Sequence, residues 1–211
     1  MNLSSCLPDS YVIADIETSG LNPSSDNILE IAIANITDRE IAWIESFVVN
    51  PHYPRDDYSV PPIITELTGI DSDMVRNGVS PETALSRYAT VASNSSVYFH
   101  NGIRFDIPFI TAETSRHSAP LPVNTTYLDS AALFKAHRLN RIDEITHHPD
   151  FESFATEILN TRVRGLKYNL TYCCECLGID LVNHIPLHRA ASDVKATHAV
   201  IEELRVLLAS D

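Results

Sequence analysis

The sequence predicts an α/β fold, a mixed sheet covered by helices. Two observations carry this. Three strand-patterned segments come first, and helical segments then alternate with two short strands. The apolar period also changes along the chain, from alternation near the N-terminus to helical spacing beyond residue 80.

The elements read in order. Residues 11–17 alternate, with Val12, Ala14 and Ile16 on one face and Tyr11, Ile13, Asp15 and Glu17 on the other. ILEIAIANI (28–36) and EIAWIESFVV (40–49) are two more strands, joined by a turn at Thr37-Asp38-Arg39. The three form an antiparallel meander. A Pro-rich loop runs from Pro51 to Pro62, and IITELTG is a short helix stopped by Gly69. Ser80-Pro81-Glu82 starts a helix, with Ser as N-cap, Pro at the first position and an acid in the first turn. Its apolar stripe is Ala84, Leu85, Tyr88, Val91 and Ala92. VYFH (97–100) is a strand, and a helix opens near Asp106. TTYLD (125–129) is the last strand, followed by the helix SAALFKAH. Residues 170–177 and 190–208 are helical, the latter with Val194, Thr197, Ile201, Leu204 and Leu208 on one stripe. Residues 138–167 interrupt the pattern and read as an inserted helix and loop beside the active face.

At 211 residues the chain fits a single domain with a core that needs no disulfide. MNLSSCLPDS has neither the basic flank nor the apolar run of a signal peptide. No stretch approaches the ~18 apolar residues of a membrane span. No membrane association and a cytoplasmic location are therefore expected. Cys173, Cys174 and Cys176 crowd into YCCECLG, with Cys6 far away. The Cys173–Cys176 spacing has no second cysteine pair to complete a zinc site, so core packing is the reading. The formal charge of −13 argues against a long basic groove. Bound divalent ions would offset acidity where a phosphate must sit.

Three clusters carry candidate chemistry. In YVIADIETSGL, Asp15 and Glu17 project from the same face of a strand, where they repel and are costly to bury unless a cation lies between them. The bland alternative is a strand end that has reached solvent. In HNGIRFD, Asp106 opens a helix, and an acid there also suits the helix dipole for about 0.5 kcal/mol. In HRAASD, His188 lies in a loop and Asp193 in the first turn of the last helix. A loop histidine of ordinary pKa suits proton transfer at neutral pH. Four carboxylates and a histidine together could hold two divalent ions and activate water for phosphodiester cleavage. His137, His147 and His148 read as surface residues, Asp129 as an N-cap or strand-end acid, and Glu30 as a strand acid contacting a helix cap.

Taken together and in order, D-I-E-T-S-G-L, H-N-G-I-R-F-D and H-R-A-A-S-D resemble the three motifs of the DEDDh, or DnaQ-like, family of 3′–5′ exonucleases. ILEIAIANI, ITELTGI, LDSAALFK and YNLTYCCECLGID match the intervening blocks, so the resemblance covers about residues 10–208. It implies a ribonuclease H-like fold with a five-stranded mixed sheet. It implies that Asp15, Glu17, Asp106 and Asp193 hold two Mg²⁺ or Mn²⁺ ions, that His188 is the general base, and that nucleoside 5′-monophosphates are released. By the same resemblance Thr18, Leu21, Asn101 and Phe105 contact the terminal nucleotide. The implied partner is a single-stranded nucleic acid 3′ end, with DNA favoured in a proofreading or repair role and RNA as the alternative. A DNA polymerase and a second copy of the chain are further expected partners. A noncatalytic nucleic-acid-binding or polymerase-binding module and a plain structural α/β domain are the competing classes. The departures are the added residues 138–167 and no visible polymerase-binding tail.

Overall fold

A computed structural model describes residues 3–180 and 189–209. Five strands form one mixed sheet in the order β3-β2-β1-β4-β5. They are β1 (Tyr11–Thr18), β2 (Ile28–Thr37), β3 (Glu40–Val48), β4 (Ser96–Phe99) and β5 (Thr126–Asp129). β1, β2 and β3 pair antiparallel, and β1–β4 and β4–β5 pair parallel. The β2–β3 turn places Asp38 and Arg39 at φ 50° and 69°. Positive φ at both central residues matches the twist of the flanking strands.

Around the sheet lie α1 (Pro62–Thr68), α2 (Ser72–Arg76), α3 (Pro81–Ala92), α4 (Asp106–His117), α5 (Ser130–Arg138), α6 (Phe151–Asn160), α7 (Leu170–Leu177) and α8 (Ala190–Leu208). Local chemistry sets their ends. Ser80 accepts from the Thr83 amide at 3.1 Å, and Pro81 opens α3. Gly69, at φ 73°, closes α1 in the left-handed conformation. Asp129 caps α5 by accepting from Ala132 N at 3.1 Å. α2 is not visible in the sequence pattern, because five residues are too few to show a period. Its cap, Asp71, accepts from Met74 N at 2.8 Å.

Strand alternation sorts the core into two layers. Tyr11 and Ile13 of β1 join Ala32, Ala34, Tyr98 and Leu128 beneath α5, α6, α7 and α8. Val12, Ala14 and Ile16 join Ile31, Ile33, Val97 and Phe99 beneath α3 and α4. Both faces of β1 are therefore apolar until Asp15 and Glu17 interrupt the α8 face. Cys173 and Cys174 are fully buried in the first layer, and Cys176 is exposed.

Residues 138–167 contain the expected helix, and it packs into the core. A 3-10 turn (Ile142–His147) leads into α6, which packs on α5 and β5. Phe151, Phe154, Ala155, Ile158 and Leu159 form a helical stripe buried in the main core. No described helix is long and apolar enough to cross a membrane.

Candidate active site

Three elements converge at the C-terminal end of β1. In register with β2, Asp15 lies opposite Ala32 and Glu17 opposite Glu30. The alternation that buries Tyr11 and Ile13 under α8 sends Asp15 and Glu17 to the same side. Asp193 enters from the first turn of α8, its amide donating to the Arg189 carbonyl at 3.0 Å. One carboxylate oxygen from each of Asp15, Glu17 and Asp193 lies within 4.8 Å of the other two. Asp106 opens α4 on the neighbouring connection, nearly buried, and accepts from the Ile16 amide at 3.2 Å. It stands beside the trio rather than in it, close enough to repel Asp15.

Burial and mutual repulsion dominate the electrostatics of these acids. Burial, then the charges of Asp106, Asp193 and Glu17, push Asp15 well above the usual carboxylate range. Burial, then Asp193 and Glu30, push Glu17 up to about 8. Burial, then Asp129, push Asp106 up to about 8. An all-oxygen donor set under mutual repulsion fits a hard divalent ion such as Mg²⁺ or Mn²⁺.

Glu30, the acid facing Glu17 across the β1–β2 pair, is committed to hydrogen bonds. It is 1% exposed and accepts from Arg189 Nε at 3.0 Å, Arg189 Nη2 at 2.8 Å, Ala190 N at 3.1 Å and Ser46 Oγ at 2.6 Å. Hydrogen bonds from Arg189 and Ser46 outweigh the cost of burial and hold its carboxyl below the ordinary value. Glu30 thus satisfies the first amide of α8 and fixes Arg189, the residue after His188. Sequence reasoning reached the helix-cap contact, but Arg189 was missed. The signal was an acid in an apolar strand and a lone arginine at a helix start. His188 itself lies outside the described residues.

Asp129 also acts structurally. Besides capping α5 it accepts from Asn101 N at 3.0 Å and Ile103 N at 3.2 Å, binding the 101–105 loop to β5. In that loop Asn101 adopts φ 67°, and its Oδ1 is buried with no hydrogen-bond partner among the described residues. Phe105 is half-buried and its ring stacks 5.0 Å from that of Phe109.

The loop after β1 is pre-ordered. A register shift between Glu17 and Thr18 bends the strand end. Thr18 Oγ1 donates to the Gly20 carbonyl at 2.6 Å. Ser19 N donates to Asn27 O at 2.9 Å, and Asn27 N returns to Ser19 Oγ at 2.9 Å. A Cβ at Gly20 would collide with the Asp26 carboxylate that receives the Asn22 amide. In this loop Leu21 is 85% exposed, an apolar side chain open to solvent.

A mixed five-stranded sheet flanked by helices, with acids gathered at one strand end, defines a ribonuclease H-like nuclease fold. The family profile RNase_T, described as Exonuclease, matches residues 12–201, and the chain belongs to that family. Its DEDDh branch is the one the motifs indicate. The DNA polymerase III PolC-type of Ureaplasma parvum is 33% identical over 175 residues, covering 76% of this chain and 12% of that protein. Its namesake from Caldanaerobacter subterraneus is 29% identical over 191 residues, covering 90% and 11%. Among solved structures, E. coli exonuclease I in complex with single-stranded DNA superposes with a TM-score of 0.72 at 20% identity. That match covers 94% of this chain and 41% of the other. A product-bound exonuclease I gives 0.70 at 20% identity, covering 94% and 43%. The chain spans about a tenth of the polymerases and about two fifths of exonuclease I.

Proposed function

We propose that this chain is a metal-dependent 3′–5′ exonuclease that shortens single-stranded DNA and releases nucleoside 5′-monophosphates. The observation that carries this is the convergence of Asp15, Glu17 and Asp193 within 4.8 Å in a member of the exonuclease family. Asp15, Glu17, Asp193 and the adjoining Asp106 would hold the divalent ions. When bound, such ions acidify water and offset charge on the phosphate. His188 takes the proton of the attacking water. A new bond joins that water oxygen to phosphorus as the bond to the 3′ oxygen breaks, and the 3′ oxygen takes up a proton from solvent.

The remaining residues position the end of the strand. Leu21 offers an apolar surface for a base at an otherwise polar strand end. Thr18 and the ordered 19–27 loop support Leu21, and Asn101 and Phe105 are the further nucleotide contacts that the family motifs suggest. The Asn101 Oδ1 is a buried acceptor with no partner among the described residues. DNA is favoured over RNA because the similar proteins are named as DNA polymerases and as an exonuclease complexed with single-stranded DNA. On the same ground we propose a DNA polymerase as partner, with a cytoplasmic setting. The comparisons give no support to a homodimer.

The test pairs Asp15→Asn with Glu17→Gln. The double variant is expected to fold and to lose turnover by orders of magnitude on a single-stranded DNA oligonucleotide. Full activity in that variant would overturn the metal assignment. Faster loss of RNA than of DNA by the parent protein would replace DNA with RNA as substrate. Tight strand binding without cleavage would move the chain to the class of binding modules.

A further inference from the structure

A cleft of about 470 Å³ lies beyond the acids, lined by Lys135, Arg162, Arg164 and Tyr168 together with Thr161, Val163 and Leu166. No carboxylate lines it. In a chain of net charge −13 most arginines are neutralised: Arg39, Arg55, Arg76, Arg87, Arg116, Arg141, Arg189 and Arg205 each have a carboxylate within ion-pair distance. Among the described residues, seven basic side chains have none (Arg104, Lys135, Arg138, Arg162, Arg164, Lys167 and Lys195), and Lys135, Arg162 and Arg164 line this cleft. Lys135 is 2% exposed, donates to the Leu159 carbonyl at 2.9 Å and sits 4.4 Å from the centre of the Tyr168 ring. Arg104 Nη1 donates to the Tyr168 hydroxyl at 3.1 Å. A buried ammonium with only a carbonyl and a ring face for company is costly without a counter-anion.

The cleft also abuts the candidate active site. The Tyr168 carbonyl accepts from His100 Nε2 at 2.9 Å, and His100 precedes Asn101. Arg104 sits in the loop between Asn101 and Asp106. A strand whose last nucleotide lies at Asn101 therefore has a cationic surface with an aromatic ring directly behind it. Over the acidic remainder of the protein it would be repelled.

We propose that this cleft binds the phosphodiester backbone of single-stranded nucleic acid upstream of the 3′ end, with Arg162 and Arg164 as phosphate ligands. The inference rests on the exonuclease reading for its choice of anion. It assigns residues 161–168 a role in holding the strand rather than in bond cleavage. Arg162 and Arg164 are exposed, so their removal leaves the core untouched.

The test measures binding of a labelled oligonucleotide of about 12 nucleotides, a length within the span of single-strand sites. The Asp15→Asn, Glu17→Gln background keeps the strand intact. Arg162→Ala with Arg164→Ala is expected to weaken binding about tenfold and to reduce the log–log salt slope by about 1.4, which is about 0.7 per lost phosphate contact. Arg55→Ala with Arg76→Ala, which removes the same charge from another surface, is expected to change affinity by less than about twofold if the contacts are local. Unchanged affinity in the first variant, an equal loss in the second, or no strand binding by the parent would overturn the proposal. If wild type cleaves no strand while binding still depends on Arg162 and Arg164, the exonuclease reading fails and this one stands. Cleavage with no arginine dependence gives the reverse.

Discussion

Removing a charge from the acid cluster should stabilise the metal-free protein while abolishing its chemistry. Asp15 is the residue to change. It is hemmed in by Asp106, Asp193 and Glu17, and it has no hydrogen-bond partner among the described residues that an amide would forfeit. At the 4.8 Å spacing of the trio and an effective dielectric constant of about 20, each pair of like charges costs about 3 kcal/mol. Partial protonation lowers that sum, so Asp15→Asn is expected to gain about 2–4 kcal/mol in EDTA at pH 8. For a chain of this size that raises Tm by roughly 4–16 °C. The sign follows from linkage. The folded-state pKa values of Asp15, Glu17 and Asp106 are raised, so the native state holds protons that the unfolded state releases between the ordinary carboxylate range and about pH 8. Metal-free stability therefore falls as pH rises through that window, less steeply in the variant. Mg²⁺ should restore stability to wild type and do little for Asp15→Asn. Scanning calorimetry with and without Mg²⁺ decides it. A variant Tm at or below wild type in EDTA, or an equal Mg²⁺ gain in both proteins, would refute the reasoning.

Three further outcomes follow from the structure. Arg189→Ala leaves the Glu30 carboxylate buried without its guanidinium, and should cost about 2–4 kcal/mol and lower kcat more than it raises KM. Urea unfolding and steady-state kinetics on one oligonucleotide check both halves. Phe154→Ala empties a fully buried position in α6 and should cost about 3–5 kcal/mol, whereas a surface insertion would lose almost nothing. Leu21→Ala should leave the thermal midpoint unchanged, because the side chain is exposed, and should raise KM with little change in kcat.

The sheet was legible because its strands announce themselves by alternation. Val12, Ala14 and Ile16 against Tyr11, Ile13, Asp15 and Glu17 divide in the structure into two core layers as the period of two requires. The caps were legible for the same local reason, since Ser80, Pro81 and Gly69 act within one turn of themselves. Residues 138–167 read as an inserted helix and loop, and a helix is there; the stripe at 151, 154, 155, 158 and 159 has helical spacing, but spacing alone does not say which neighbour buries it. Meeting Glu17, Asp193 and Asp15 at one point required long-range closure that no spacing encodes. The family resemblance supplied it. The Glu30–Arg189 pair joins residues far apart in sequence, and its local signs are only an acid in an apolar strand and an arginine at a helix start; nothing local marks the cleft at Tyr168.

The central claim is tested most directly by following a single-stranded DNA oligonucleotide labelled at its 5′ end, and the same strand labelled at its 3′ end, with Mg²⁺, Mn²⁺ or EDTA. The account predicts a ladder shortening one nucleotide at a time from the 5′-labelled strand and immediate release of labelled mononucleotide from the other. Both require metal, and both are lost in Asp15→Asn with Glu17→Gln. Internal cuts, a ladder from the opposite end, or degradation that persists in EDTA would contradict it.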